Sequence, residues 1–166
     1  MSPPPHIRDA SPEDAAAIQA IYAPIVRDTP ISFELDPPSV GEMAERMERV
    51  AATHPYLVAE RDGAVIGYAY AGPFKERRAY RFAAEVTVYV AESAQGGGIG
   101  RALYGALLER LTESGHHTAI GIIALPNPGS VALHERVGFR HVGTVHEAGW
   151  KFDRWHDVGY WQRVLE

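Results

Sequence analysis

The sequence predicts a mixed α/β (α+β) fold with a mainly antiparallel sheet. Three observations lead to this prediction. Two N-terminal segments repeat apolar residues at helical spacing, several later segments alternate as strands do, and one strand leads through a glycine-rich loop into a helix. The 166 residues are 46% hydrophobic and 22% charged, which is a globular composition. Because we find no repeat and no linker, we expect a single domain over residues 1–166.

Composition excludes several classes of function. With 16 Lys and Arg against 21 Asp and Glu, the net charge is −5, and the sequence has no basic stripe for nucleic acid. The lack of cysteine excludes disulfides, thiolate metal sites and a cysteine nucleophile, and it suits a reducing compartment. No apolar run approaches the ~20 residues of a membrane helix, and the N-terminus has no signal-peptide pattern. We therefore expect a soluble, cytoplasmic protein without a nucleic-acid or membrane partner.

The N-terminal part is predicted to form one strand and two helices. The strand is His6–Asp9. Ser11 and Pro12 are typical of a helix start, with Ser11 as the cap and Pro12 in the first helical position. Pro24 lies late in this helix, where we expect it to kink or end the helix. The second helix is expected from Ser39 to about Thr53. The expected inward-facing residues are Ile18, Ile21, Tyr22 and Ile25 in the first helix and Met43, Met47 and Val50 in the second.

The rest of the chain is predicted to supply the other strands and two more helices. Tyr56–Glu60 and Ala64–Ala71 form a predicted hairpin, and Gly72-Pro73 is expected to break its second strand. A basic loop, PFKERRAYRFA, follows. Further strands are predicted at Glu85–Val90, Thr118–Leu125, Val142–Glu147 and Asp157–Val164, with helices from about Gly98 to Ser114 and from Pro128 to about Val137.

The loop QGGGIGR, from Gln95 to Arg101, predicts an anion-binding site. It joins a strand to a helix start, where unpaired amides and the helix dipole favour a phosphate, and glycine permits close approach. A P-loop is not indicated, because Ala106 and Leu107 stand where that motif has Lys and Ser or Thr. A dinucleotide fingerprint also fails, because Leu103 stands where its third glycine belongs. A glycine turn without a ligand is the alternative.

Several motifs resemble one family. QGGGIGR resembles the Q/R-x-x-G-x-G/A signature of the GNAT superfamily of acyl-CoA N-acyltransferases, and NPGSVALHERVGF resembles that family's second coenzyme A segment. YAYAGPFKERRAY, EVTVYV and WHDVGYWQR are similar to the subfamily that acetylates phosphinothricin and methionine sulfone. The motifs extend from about Tyr56 to Arg163. The resemblance implies a GNAT fold with a twisted mixed sheet flanked by helices, acetyl-CoA as cofactor, a small amino acid or analogue as acceptor, and a homodimer.

The resemblance also implies which residues bind coenzyme A. In this family the glycine loop cradles the pyrophosphate, and the preceding strand splays from its neighbour so that its backbone binds the thioester oxygen and pantetheine. An asparagine and a serine at the start of the next helix hold the pantetheine arm. The corresponding residues are Val88, Tyr89, Val90, Gln95, Gly96, Gly97, Gly98, Ile99, Gly100, Arg101, Asn127 and Ser130.

Two residues are implied to be catalytic. Glu85 matches the subfamily's proposed base, which deprotonates the acceptor amine, often through water; the alternative is a surface carboxylate at a strand end. His134 stands where the superfamily has a tyrosine acid and the subfamily a histidine. It could protonate the leaving thiolate, shuttle the amine proton, or only shape the pocket, and the sequence leaves these roles open.

The acceptor is implied to bind near the basic loop. Lys75, Arg77 and Tyr80 match the subfamily pattern K-x-R-x-x-Y, and cations there would bind a carboxylate or the oxygens of a phosphinate or sulfone. A solvated basic loop is the alternative. The full set of implied substrate residues is Phe33, Lys75, Arg77, Tyr80, Glu85, Thr87 and Tyr89.

The other histidines and aromatic residues do not indicate a further site. The eight histidines lack ligand-like spacing, so we expect no metal. Core or dimer packing is expected for the aromatic C-terminus, which comprises Trp150, Phe152, Trp155, Tyr160 and Trp161. Two alternative functions stay open: an acetyltransferase of the same fold that acts on a protein N-terminus or a polyamine, and a non-catalytic acyl-CoA-binding domain.

Overall fold

A computed structural model describes residues 2–166, and its strands form one seven-stranded sheet. The strands are β1 (His6–Asp9), β2 (Tyr56–Arg61), β3 (Ala64–Pro73), β4 (Ala83–Val90), β5 (Thr118–Leu125), β6 (Arg140–Lys151) and β7 (Arg154–Val164). Their order is β1-β2-β3-β4-β5-β7-β6. Only β4 and β5 pair in parallel, and the other neighbours are antiparallel. The predicted mixed, mainly antiparallel α/β fold is confirmed.

Helices cover both faces of this sheet. They are α1 (Ala15–Asp28), α2 (Val40–Ala51), α3 (Ile99–Glu113) and α4 (Pro128–Arg136). Along β2, Leu57 and Ala59 belong to the core that includes α3, whereas Tyr56 and Val58 belong to the core that includes α1 and α2. Successive strand residues point to opposite faces, so β2 is buried on both sides. Within residues 2–166, no helix is long and apolar enough to cross a bilayer.

Helix α1 begins close to its predicted start and continues past Pro24. Residues 12–14 form a 3₁₀ turn, and the Ser11 amide donates to Asp14 Oδ2 at 2.8 Å. The expectation that Pro24 ends the helix is wrong, because α1 extends to Asp28. Pro24 removes one backbone N–H and crowds the carbonyl of Ala20, but α1 also buries an apolar face that includes Ile21 and Val26, and this packing extends beyond the proline.

Strand β3 also passes its predicted break. Gly72 pairs with Glu85, and Pro73 pairs with Ala84. The amide of Ala71 donates to Pro55 O, so the backbone nitrogen two residues on, in Pro73, points to the same side, beyond the end of β2. Proline is tolerated there because the missing N–H faces no ladder.

The C-terminal strands are longer than predicted. The predicted strands leave residues 148–156 unassigned, but β6 and β7 form a hairpin through them that turns at Phe152 and Asp153. These two residues have φ angles of 54° and 55°, the backbone of a tight two-residue hairpin turn. Phe-Asp is not a usual sequence for such a turn, so turn residues do not predict a hairpin here. The hairpin extends to the acceptor end of the site described below.

Candidate active site

The pairing between β4 and β5 ends halfway along both strands. Ala83–Val86 pairs with Thr118–Gly121, and the described residues contain no further pair between these strands. Beyond this point the backbone of Thr87–Val90 faces a cavity of about 900 Å³. Backbone groups that lose a ladder partner need another one. The divergence therefore offers a row of backbone donors and acceptors to an extended ligand.

The glycine loop forms one end of this cavity. Gly98 caps α3 with a φ of 77°, and Gly96 has a φ of 82°, a left-handed backbone that strains other residues. A Cβ at either position would meet no atom within 4 Å, so the space beside them is open. Gly100 is different, because a Cβ there would lie 2.9 Å from Leu133 Cδ2. The sequence predicts that all the loop glycines permit close approach of a phosphate. The structure shows that Gly100 also permits close packing of α3 against α4.

Two arginines bring positive charge to the same end of the cavity. Arg101 was predicted, whereas Arg136 was missed because it looked like an ordinary surface cation of α4. Together with the helix start at Ile99, they suit a polyanion such as a pyrophosphate. Gly97 lies outside the lining. The predicted residues that line the cavity here are Val88, Tyr89, Val90, Gln95, Gly96, Gly98, Ile99, Gly100, Arg101, Asn127 and Ser130.

Asn127 has a structural role in addition to its place on the cavity. Its side chain caps α4, with Oδ1 accepting from the Ser130 amide at 3.2 Å. This cap fixes the start of the helix that carries His134. The sequence reasoning considered Asn127 only as a ligand-binding residue.

His134 is 4% exposed and both of its ring nitrogens have partners. Nδ1 lies 2.7 Å from the Ser130 carbonyl oxygen, and Nε2 lies 2.8 Å from the hydroxyl of Tyr104 on α3. A carbonyl can only accept, so Nδ1 carries a proton. Burial lowers the pKa of His134, with the Ser130 bond opposing it, which favours a neutral ring whose Nε2 accepts from Tyr104. Sequence reasoning missed Tyr104, because it appears as one more apolar position of α3.

Glu85 lies on β4 where the two strands begin to diverge. Its neighbours across the sheet are Gly72 and Ile120, and its side chain lines the cavity. Burial raises the pKa of the Glu85 carboxyl, while the charge of Lys75 opposes this shift. A half-buried carboxylate with a raised pKa is suited to proton transfer near neutral pH.

The other end of the cavity is closed by residues 29–35, which we call the wall loop. Ser32 and Phe33 line the cavity, together with Tyr70 on β3 and Thr87 on β4. The Ser32 hydroxyl lies 2.7 Å from that of Tyr22 on α1. The predicted position of Phe33, Thr87 and Tyr89 at a cavity wall agrees with this lining, whereas Tyr70 was not anticipated.

An ion pair holds the end of the wall loop against α2. Arg46 donates to both carboxylate oxygens of Glu34, at 2.6 and 2.9 Å. Tyr22 also donates to Glu34. The Arg46 contacts lower the pKa of Glu34, so this carboxylate is ionised at neutral pH. Since its oxygens already have partners, it serves to fix the loop.

The β6–β7 hairpin supports the wall loop from below. Lys151 is 4% exposed, and its Nζ donates to the carbonyls of Val26 and Ser32 at 2.7 Å each. A Cβ at Gly149 would lie 2.3 Å from the ring of Phe33. These contacts join residues more than 100 positions apart, and no local pattern in the sequence announces them.

The basic loop lies outside the cavity lining. Lys75, Arg77 and Tyr80 are exposed, and Arg77 precedes a 3₁₀ turn at Arg78–Tyr80. Of these three residues, only Lys75 affects the pKa of Glu85, which its charge lowers. Among residues 2–166 there is also no group of three His, Cys, Asp or Glu that could hold a metal.

Comparisons with known proteins agree with this geometry. The profile of the family described as "Acetyltransferase (GNAT) domain" matches residues 7–159. The chain is 41% identical to the phosphinothricin N-acetyltransferase of Streptomyces viridochromogenes, over 100% of this chain and 92% of that protein. It is 34% identical to the L-methionine sulfoximine/L-methionine sulfone acetyltransferase of Pseudomonas aeruginosa, over 96% of this chain and 94% of that protein. A crystal structure of a GNAT superfamily phosphinothricin acetyltransferase from Sinorhizobium meliloti in complex with AcCoA superposes with a TM-score of 0.95 at 40% identity, covering 98% of this chain and 89% of that chain.

Proposed function

The chain belongs to the GNAT family of acetyltransferases, and we propose that it transfers the acetyl group of acetyl-CoA directly to the α-amino group of a small amino acid or analogue. Phosphinothricin, methionine sulfoximine and methionine sulfone are the analogues we propose first, after the names of the relatives. One observation carries the proposal: a single cavity joins the glycine loop to the half-buried Glu85 at the divergence of β4 and β5.

Acetyl-CoA supplies an acetyl group activated as a thioester, and the residues present fit it. Arg101, Arg136 and the first amides of α3 would hold the pyrophosphate beside the open left-handed glycines. The backbone of Val88–Val90 would hold the pantetheine arm and the thioester oxygen, with Ser130 on the opposite side. This division leaves the wall-loop end of the cavity for the acceptor.

The acceptor end supplies a base and a shaped wall. An α-ammonium must lose a proton before it attacks, and Glu85 is the carboxylate in the cavity that would take it, directly or through water. Phe33, Tyr70 and Thr87 would contact the side chain of the acceptor. The basic loop would bind the carboxylate of the acceptor, or its phosphinate or sulfone oxygens, through Lys75, Arg77 and Tyr80. The effect of the Lys75 charge on the pKa of Glu85 supports this role for Lys75.

The test is thiol release from acetyl-CoA in the presence of a panel of amines. The panel contains L-phosphinothricin, L-methionine sulfoximine, L-methionine sulfone, plain amino acids, spermidine and a peptide that starts with Ser or Ala. We expect turnover with the amino-acid analogues. Turnover with only the peptide or spermidine would overturn the acceptor class but not the acetyl transfer. Acetyl-CoA binding without any turnover would favour a non-catalytic acyl-CoA-binding domain.

We also propose that the enzyme is a cytoplasmic homodimer that pairs through the β6–β7 hairpin. The hairpin exposes Trp150, Phe152 and Trp155, each more than half accessible, beside Val142 and Val145. Exposed aromatic groups of this kind are typical of protein interfaces. Light scattering would give the mass of the particle in solution, and a monomer at micromolar concentration would contradict the dimer.

A further inference from the structure

Two protons leave the acceptor nitrogen in the proposed reaction, because an ammonium carries three N–H bonds and the amide product keeps one. One proton leaves before the amine attacks, and another leaves the nitrogen after the new C–N bond has formed. Glu85 can hold only one proton at a time. The leaving coenzyme A thiolate takes up one of the two protons and becomes the thiol. While Glu85 still holds the first proton, another group on the cavity is needed to accept the second.

His134 also lines the cavity and has a basic nitrogen, Nε2, that can accept a proton. Both of its ring nitrogens already have hydrogen-bond partners. Nδ1 donates to the Ser130 carbonyl, and Nε2 is in contact with Tyr104 Oη at 2.8 Å. On the open side of the ring, a Cβ at Gly121 would lie only 2.5 Å from Nε2, so the backbone of β5 covers it. Tyr104 Oη is therefore the polar atom in contact with Nε2.

Tyr104 is placed to make this connection. Its side chain lines the cavity, although only 1% of it is exposed. Burial raises the pKa of the Tyr104 hydroxyl, and Tyr70 and Glu85 add to this shift. The Tyr104 hydroxyl thus contacts the imidazole at 2.8 Å and lines the same cavity as Glu85.

We propose that Tyr104 relays the second proton of the acceptor amine to His134, an inference that rests on the proposed function. The oxygen of Tyr104 forms a bond to the incoming proton, directly or through a water, while its own O–H bond breaks and that proton passes to Nε2. The electron pair of the broken N–H bond stays on the acceptor nitrogen, the C–S bond breaks, and the thiolate leaves with the proton that Glu85 had taken. The products are a neutral amide and the thiol. The positive charge ends on the imidazolium, whose Nδ1–H stays on the Ser130 carbonyl.

The proposed relay uses both hydrogen bonds of the His134 ring. The Ser130 carbonyl fixes the proton on Nδ1, which leaves Nε2 as the acceptor. A buried imidazole nitrogen needs a hydrogen-bond partner in any role, and here that partner is a hydroxyl, which can also pass on a proton. Tyr104 is thus both a positioning residue for the tautomer and the path of the proton.

The kinetic test is Tyr104→Phe, with Tyr68→Phe as the matched control. Tyr68 is an equally buried tyrosine in the sheet and does not line the cavity. We expect Tyr104→Phe to lower kcat by about 10- to 100-fold while the KM of the amine and the Kd of acetyl-CoA change less than about threefold. Tyr68→Phe should keep the kcat of the wild type. The double variant Tyr104→Phe/His134→Gln should be no slower than the slower single variant, because the two residues act as a unit.

A second readout does not depend on turnover. In the ligand-free protein labelled with ¹⁵N-histidine, the His134 signal is assigned as the one lost in His134→Gln. We expect the Nδ1–H tautomer in the wild type and a shifted Nε2 resonance in Tyr104→Phe, with all other histidines unchanged. Thermal unfolding would show that both variants are folded.

The outcomes separate the relay from the proposed function. Full kcat in Tyr104→Phe, or an unchanged Nε2 resonance, would overturn the relay while acetyl transfer stands. Additive losses in the double variant would also overturn it, because independent residues give that result. If the wild type acetylates no amine of the panel, the proposed function fails and the relay fails with it.

Discussion

The two ends of the cavity are built in different ways. The cofactor end uses short, contiguous segments: the loop at Gln95–Arg101 and the helix α4 that follows β5. The acceptor end uses single residues from α1, the wall loop, β3 and β4, and it is supported by Lys151 from the last hairpin. Backbone conformation therefore defines the first end, whereas long-range side-chain contacts define the second.

This difference explains what a change of sequence can do at each end. In the proposed binding mode, a pyrophosphate is bound by amides, a helix dipole and two arginines, which depend little on neighbouring side chains. An acceptor side chain is selected by the shape of the pocket wall, where one methylene group changes the binding free energy by ~1–3 kcal/mol. The cofactor end should thus be common to many relatives, and the acceptor end should decide the substrate. Three variants test whether the two ends behave independently.

The largest effect is expected from Glu85→Gln. The amide has nearly the same shape but cannot take a proton, so kcat should fall by about 100- to 10,000-fold while the Kd of acetyl-CoA is unchanged. The base must be ionised, so wild-type kcat/KM should fall as the pH drops through the pKa of Glu85. Because burial raises that pKa, the fall should lie above the pH expected for an ordinary glutamate.

The pH profile is the deciding measurement for this variant. The acidic limb should be present in the wild type and absent from the residual activity of Glu85→Gln. If the limb persists unchanged in the variant, another group is the base. If the Kd of acetyl-CoA rises together with the loss of kcat, the two ends are coupled at β4 and the division drawn above fails.

The fold was predictable in those places where local patterns decide it. The strands β1, β2 and β5 and the helices α2 to α4 were placed within a few residues, because apolar periodicity, Ser39 as a cap and the glycine turns act locally. The hairpin at Phe152-Asp153 was missed, since its turn has no Asn-Gly or similar signal. β3 can extend through Pro73 because β2 does not pair with it there, and this pairing is set by the tertiary structure rather than by the local sequence.

The site divides in the same way. The glycine loop, Arg101 and Glu85 could be found from motifs, and the structure places all three on one cavity. Four other residues could not be found in this way, because each is an ordinary residue in its own segment. They are Tyr70, Tyr104, Arg136 and Lys151. Only the folded chain brings the Lys151 ammonium to the Val26 carbonyl or the Tyr104 hydroxyl to His134.

An intermediate effect is expected from Lys151→Met, which tests the support of the acceptor end. The change leaves the buried carbonyls of Val26 and Ser32 without their donor, so the free energy of unfolding should fall by about 2–4 kcal/mol. The KM of the amine should rise because the wall loop loosens, while the Kd of acetyl-CoA should stay the same. Urea unfolding and steady-state kinetics below the unfolding transition measure both effects.

Arg154→Met is the matched control for this variant. Arg154 lies at the same end of the hairpin, opposite Lys151, but it is exposed. Its replacement should change stability by less than about 0.5 kcal/mol and leave both constants alone. Equal destabilisation by the two variants would mean that loss of positive charge on the hairpin, rather than the two buried hydrogen bonds, is responsible.

The smallest effect is expected from Gly149→Ala, and it is the most specific to the acceptor. The new methyl group would meet the Phe33 ring at 2.3 Å, so the ring must move. Phe33 is 38% exposed and can turn without a large loss of stability. Since β6 occupies the other side, the ring moves toward the cavity, and the KM of a bulky analogue should rise about tenfold, more than that of a small amino acid.

Gly143→Ala on the same strand, where a Cβ would meet no atom within 4 Å, should leave every KM unchanged. A uniform rise for all acceptors, or a change in acetyl-CoA affinity, would show that Phe33 does not act as a wall for the acceptor side chain.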